Sequence, residues 1–506
     1  MKADFIKYIQ IAILMAATAL TGCYKDKGNY DYKDINEIRV TDINAAQRIY
    51  VNPDDTLRLN PSIVQSQPSD DLSYAWFMYN NSPNSSYVMP RDTIARTPNL
   101  AFRVTGDLFV LGENYRVTLK VTDNKTGISA VRQYDITVAN KYAQGWMFLE
   151  EKPTGADLSM ILPDNSVEHN IYSLLNPTAA LGKPKSITAT NFDVTDDLST
   201  PNRRIYIQTE NDAIELSSLT LTKKFDIGYL FFTRPQTVKP SFIGWAAYMS
   251  GSNPWQRMGI AINNGQVHTN MVGGFPGIKK WGEAIVNPAG VYDYDIAPYL
   301  AGGSTYAATY QVIVYDKKYR RFYSVGMNAL TAFPSAASTV FNMNDVGMDL
   351  LLLDSANVLD RYNAVMKDGE TPYLLQFRTV VSADDPVVTI AKTAMNAPGI
   401  VNAAALASST LTPHIFYAVG NKLFKYETTS NITTEAFNLP AAETVTRIDY
   451  VRAASGTGLQ RLVVATWNGT EGKVYYFNIS PVGDLGSNYT HVFNGFKKII
   501  DFVYKY

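Results

Sequence analysis

The strongest constraint on this fold is a spacing. Beyond Lys141 one pattern recurs, an apolar and aromatic strand, a polar turn and a second strand, as in QRMGIAINNGQVHTNM, YQVIVYDKKYRRFYSV and QRLVVATWNGTEGKVYYFNI. Seven such turns centre near Thr154, Asn211, Asn264, Lys317, Asp368, Gly420 and Gly469, so subtraction gives steps of 57, 53, 53, 51, 52 and 49 residues. A unit of about 50 residues built on a β-hairpin is the size of a four-stranded propeller blade. Asn264-Gly265, Asp368-Gly369 and Asn468-Gly469 supply residues that accept the positive backbone angles of tight hairpin turns. The spacing predicts a β-propeller of about seven blades over residues 141–506, with six or eight as neighbouring counts. An irregular stack of hairpins is the competing arrangement. The final FKKIIDFVYKY has strand character but no turn partner. It is expected to complete the first blade, because closing the ring removes exposed sheet edges.

Residues 37–140 have a different rhythm, with short alternating runs: IRV, TLRLNPSI, SYAWFMY, YRVTLKVTD and AVRQYDITV. In YRVTLKVTD, Tyr115, Val117, Leu119 and Val121 share one face, and Arg116, Thr118, Lys120 and Thr122 the other. Period-two alternation marks half-buried strands. The turn from Asp123 to Gly127 leads into a strand that can return beside the first. About seven strands in about 100 residues, with a tryptophan in a central strand, predict an immunoglobulin-like sandwich whose core holds Trp76. The whole chain is therefore read as all-β.

The sequence opens with MKADFIK, and the apolar run from Tyr8 to Leu20 that follows is too short for a spanning helix. Residues 1–22 read as a lipoprotein signal peptide, because the run ends in Leu20-Thr21-Gly22-Cys23, the spacing of a lipobox. Cys23 is the expected lipidation site, and the polar residues 23–36 the tether. An ordinary secretory peptide with a chance cysteine is the alternative. Acyl chains contribute about 0.8 kcal/mol per buried methylene, so several together hold a folded body on a bilayer. Cys23 is the only cysteine, so an internal disulfide is excluded and stability must come from buried core. The 45 basic and 46 acidic residues leave a net charge of -1, without the basic stripe that a phosphate backbone requires. Nucleic acid is not an expected partner.

The common zinc, nucleophile-elbow, Walker and dinucleotide motifs are absent, and His169, His268, His414 and His491 stand apart. No metal site, cofactor or catalytic residue is expected from local motifs. The pairs Asp54-Asp55, Asp70-Asp71, Asp196-Asp197 and Asp384-Asp385 read as solvated loop acids, while Asp293 and Asp295 offer a weak oxygen-ligand set for a hard cation. A propeller hydrolase would draw its acids to the axis from blades far apart in sequence. Aromatic residues are densest around the third blade, where Trp245, Trp255, Trp281, Tyr292, Tyr294 and Tyr299 stand among Gly and Pro. Loops often carry sites, and flat rings stack on sugars or peptide side chains, so these six are the candidate ligand-binding residues. Filling gaps between blades is the other use of such rings.

The YAWF strand, YRVTLKVTD and the closing Ile136 to Val138 resemble a PKD-type domain. Together with LTGC, the GNYDY segment just after it and the long β-rich remainder, they make the chain resemble the PKD-like lipoproteins of Bacteroidetes over essentially its whole length. The resemblance implies an outer-membrane lipoprotein, lipid-anchored and facing outward, accessory to a SusC/SusD-type nutrient importer. Such a protein would bind an oligopeptide, or an oligosaccharide, or dock on the transporter, without catalysis. Export to the outer face often involves acids just after the lipidated cysteine, and here only Asp26 lies close. A propeller hydrolase, glycosidase or peptidase, and a purely structural docking subunit are the two rival readings.

Overall fold

The computed structural model describes residues 35–505 apart from 47–48, 52–54, 69, 82–91, 106–107, 111–112, 139–140, 191–193, 196–200, 251–252, 273–279, 303–308 and 451–460. The signal segment and Cys23 lie outside the described residues. The first unit is a sandwich. One sheet has the order Ile49–Val51, Ser129–Val138, Asn114–Asp123, Leu72–Asn80, Asp92–Ala95. Two strand pairs, Ile38–Thr41 with Ser62–Gln65 and Thr56–Leu59 with Leu100–Arg103, share a single apolar core with it. The alternation in YRVTLKVTD is realised: Tyr115, Val117, Leu119 and Val121 are buried, and the residues between them are not. That strand pairs with Ser129–Val138 through a turn in which Gly127 has φ 75°. Trp76 is fully buried, and its indole N–H donates to the Thr97 carbonyl at 2.8 Å.

A propeller follows. Among the described residues, seven inner strands touch in a closed ring: Lys498–Lys505, Pro184–Ala189, Pro240–Ser250, Ala301–Gly302, Asp349–Ser355, Ala405–Ser408 and Thr444–Tyr450, which returns to the first. We number the blades 1 to 7 in that order and their strands A to D from the axis outward. Every hairpin of the repeat is the B–C pair of its blade. The turn at Asn264 and Gly265, with φ 50° and 74°, has the two positive angles of a tight hairpin.

The middle strands show why blades stack. They carry apolar residues at successive positions, because both faces of each sheet are covered. In blade 4, all of Val312–Asp316 is buried. Val312 and Val314 join the core shared with blade 3, while Ile313 and Tyr315 join the core shared with blade 5. The same alternation fills all seven seams, each with its own apolar cluster. A side chain fully buried there contributes about 1.5–3 kcal/mol.

The C-terminal strand closes the ring. Lys498–Lys505 runs antiparallel to Gly145–Lys152, with Phe148 opposite Phe502 and a register shift between Leu149 and Glu150. Blade 3 departs from the pattern, with three regular strands among the described residues. Its outer place is taken by an irregular stretch: Gly282 N–H donates to the Thr269 carbonyl and Ile285 N–H to that of Val267.

Candidate functional site

Closing seven blades brings together side chains that no local motif joins. The A strands lie around the axis, and three of them carry an aspartate directly after an aliphatic residue: LLLLDS, TRIDY and IIDF. These place Asp354 in blade 5, Asp449 beside Arg447 in blade 7, and Asp501 in blade 1. Arg447 Nε lies 2.9 Å from Asp501 Oδ1. The guanidinium is held above its ordinary range, by Asp501 first and then by Asp449, Tyr299 and Asp354. Its side chain nevertheless remains 38% accessible although its Nε is buried, so solvent reaches part of this guanidinium at the axial channel.

Each group in the channel is positioned by backbone. Asp501 Oδ2 accepts the Ile187 N–H of blade 2 at 3.0 Å, so one carboxylate ties the A strands of blades 7, 1 and 2. Burial pushes the Asp501 carboxyl up, against the pull of Arg447 and of the Ile187 and Phe502 N–H groups. Asp354 accepts the Ser408 N–H of blade 6 at 3.2 Å and its neighbour Ser355 N–H at 2.8 Å. Asp449 accepts the Tyr450 N–H at 2.8 Å. Tyr299, just ahead of the blade 4 A strand, donates to the Leu351 carbonyl at 3.2 Å. Burial raises its pKa, with Arg447 acting in the opposite direction. The channel thus presents a guanidinium and three carboxylates drawn from three blades.

The six aromatic candidates do not share a face. Tyr299 reaches the channel. Trp281 is fully buried in the seam between blades 2 and 3, with ring centroids 5.7 Å from Tyr206 and 5.6 Å from Trp245. Its backbone is bonded to Leu230 and Phe232, so Trp281 is inner packing and not part of an exposed loop. Trp245 is half-buried in the same seam, and its indole N–H meets the Tyr206 hydroxyl at 3.3 Å. Tyr294 is buried in the seam between blades 3 and 4, where its hydroxyl donates to the Ile285 carbonyl at 2.5 Å. Tyr292 is 53% exposed and stands apart from them. Trp255 belongs to the B strand of blade 3, Asn253–Asn263, and its side chain lies outside what is described. The physical reason for the scatter is that large rings fill the wedge-shaped gaps between blades.

Other sequence candidates resolve into structure. Asp293 pairs with Lys318 and Tyr319, which hold its carboxyl below the usual range, and Asp295 pairs with Lys317 at 3.1 Å. Asp385 pairs with Arg378. Among the described residues, no group of three or more His, Cys, Asp or Glu is placed to hold a metal ion.

One Ser, His and Glu set does converge in blade 1. Ser159 donates to Glu150, and His169 Nδ1 lies 2.9 Å from the Ser159 hydroxyl. In a nucleophilic triad the imidazole stands between hydroxyl and acid. Here the hydroxyl stands in the middle, and Ser159 is fully buried. The set fixes the closing strand instead, because Glu150 also accepts the Lys497 N–H.

Sequence reasoning sought acids paired in loops and passed over single acids inside strands. The available signal was an aspartate within a run such as Ile499-Ile500-Asp501-Phe502, where a charge needs a built partner.

Comparison with known proteins bears on the two halves differently. Solved structures similar to the chain include a quinoprotein alcohol dehydrogenase-like protein of Bacteroides thetaiotaomicron, at 9% identity and TM-score 0.42, covering 91% of this chain and 97% of that one. A dihydro-heme d1 dehydrogenase, NirN, aligns at 8% identity and TM-score 0.39 over 76% of this chain and 72% of its own. The Dos1 propeller aligns at 9% identity and TM-score 0.38 over 75% and 92%. Likenesses this distant carry no argument about activity, and the propeller is established by the closed ring of strands. No curated protein matches the chain. The PKD-like family matches residues 23–184, so the chain carries a PKD-like family domain whose span takes in the sandwich and also the B, C and D strands of blade 1.

Proposed function

We propose that this chain is a lipid-anchored outer-membrane protein, accessory to a SusC/SusD-type importer, whose propeller binds an oligopeptide at the axial channel without catalysis. The observation that carries the reading is the mixed lining of the channel, with Arg447, Asp354, Asp449, Asp501 and Tyr299 drawn from four blades. A peptide offers N–H donors and carbonyl acceptors in alternation, and charged termini. A lining with both a guanidinium and carboxylates suits those groups. The lipobox ending at Cys23 and the resemblance of the leading segment to PKD-like lipoproteins support the address. The sandwich then spaces the propeller from the membrane, and a tether raises its local concentration beside membrane partners.

The test is calorimetric titration of the mature chain with mixed short peptides and, separately, with oligosaccharides. Replacing Arg447 with Ala, or Asp354 and Asp449 together with Asn, should weaken binding at least tenfold, which is about 1.4 kcal/mol. Unchanged affinity in both variants removes the channel as the site. A hydrolase is the second reading, favoured by the convergence of three carboxylates on one axis, and release of shortened products would establish it. Co-purification with the importer in the absence of any ligand binding would favour a docking subunit.

A further inference from the structure

We propose that Lys505 is a proton-operated latch on the junction between sandwich and propeller: as a neutral amine it fastens the connecting segment to the propeller, and on protonation the segment loosens. The latch does not depend on what the axial channel binds.

Residues 141–144 lead from the sandwich into the B strand of blade 1, Gly145–Lys152, and each of them is docked on the propeller. Lys141 pairs with Glu168 of the blade 1 D strand at 2.7 Å. The Tyr142 ring is buried in the seam between blades 1 and 2. Gln144 Nε2 donates to the Tyr504 hydroxyl at 2.9 Å. Lys505 completes the set, because its Nζ donates to the Tyr142 carbonyl at 2.7 Å and to the Ala143 carbonyl at 2.6 Å. The end of the closing strand thus grips the segment that joins the two units.

The geometry of this grip favours the uncharged form. Two carbonyls accept two N–H groups, the number a neutral amine has, whereas an ammonium carries three and a charge. Lys505 is 5% exposed, and a buried charge needs a compensating partner. The segment brings Lys141 and Tyr142 near it, and its own strand brings Asp501 and Tyr504. On the neighbouring strand, Glu150 and Glu151 stand opposite Ile499 and Lys498, at the far end of the pair. Blade 7 contributes Arg447, Asp449 and Arg461, and blade 2 Lys185 and Arg203. Of these, the group that acts on the amine is Arg203, a like charge. Burial first and Arg203 second lower the Lys505 pKa to about 7. Released from the propeller, the amine is solvated and returns to its ordinary 10.5. The docked state therefore binds fewer protons between those two values, so docking strengthens as pH rises through the window and weakens as it falls, levelling off below the lower value.

The experiment is hydrogen–deuterium exchange of the mature chain and of Lys505→Met and Lys505→Gln, read by mass spectrometry between about pH 7.5 and 9.5. Intrinsic amide exchange accelerates in proportion to hydroxide, while the opening constant of the latch falls by about tenfold per pH unit. In the parent the two cancel, so the exchange rate of residues 142–146 should stay nearly level across the range. In both variants, which cannot titrate at this position, it should rise by about tenfold per unit. The sandwich strand Asn114–Asp123 should show that same rise in all three chains. A hydrogen bond with no titration behind it would slow exchange without changing its slope, so a parent slope equal to that of the variants overturns the proposal. Should neither variant fold, a carbon-13 titration of the Lys505 side chain in the parent decides: a midpoint at about 7 supports the latch, and one at about 10.5 overturns it.

Discussion

Gly155 sits at the hairpin turn of blade 1 with φ +130°, and a Cβ there would meet the Leu181 carbonyl oxygen at 2.1 Å. Gly155→Ala therefore adds a backbone clash to a backbone angle that L-residues avoid, and should cost more than about 2 kcal/mol in unfolding free energy. Gly420, with φ +61° and open space around it, should lose only about 1–2 kcal/mol on the same change. Denaturant unfolding of the two variants checks the difference, and equal losses would refute the clash. Glu150 tests the closing seam by pH. Burial raises its carboxyl above the ordinary 4.5, against the pull of Ser159 and the Lys497 N–H. A raised folded pKa means that its contribution is fully present below the unfolded value and lost as pH rises through the folded one. Wild type should thus lose stability relative to Glu150→Gln from about pH 4.5 upward, measured by urea unfolding across mildly acidic and neutral pH. Parallel curves would count against it.

The element that decides the propeller is its last strand. Lys498–Lys505 is the inner strand of blade 1, and without it Gly145–Lys152 is left as an unpaired edge. Phe502 packs on Trp146 and Phe148 with centroids 5.5 and 5.3 Å away. Phe502→Ala should cost about 3–5 kcal/mol, read from the unfolding midpoint of the propeller. Truncation before Lys498 should go further and abolish cooperative unfolding of the propeller. A truncated chain that melts as sharply as the parent would show that closure by this strand is dispensable. The strand was legible as apolar and partnerless in sequence, but its partner lies some 350 residues earlier, as Lys505 bonding to the Tyr142 carbonyl at 2.7 Å illustrates with a separation of 363.

For the whole molecule, the proposed arrangement is a lipid, a tether, a PKD-like domain and a propeller in series. Cys23→Ser should move the protein from the membrane fraction to the soluble fraction of the envelope, followed by fractionation and by loss of detergent partitioning. Retention on the membrane would put the anchor elsewhere. The channel binds at the centre of the ring in this scheme, so its affinity depends on closure. Phe502→Ala should weaken peptide binding as well as folding, whereas Trp76→Ala, in the core of the sandwich, should spare it.

Much of the architecture could be read from the chain because it is local. Hairpin turns at steps of about 50 residues, two-residue alternation in the sandwich and apolar runs in the blades' middle strands each follow from neighbours in sequence. The candidate site could not be read that way. Asp354, Asp449 and Asp501 become neighbours only when seven inner strands meet at one axis. Trp281 looked like a loop ring until blade 3 used its stretch in place of an outer strand. Period and turn chemistry therefore determined the blades, while closure of the ring decided which charges face the axis and which rings are sealed between blades.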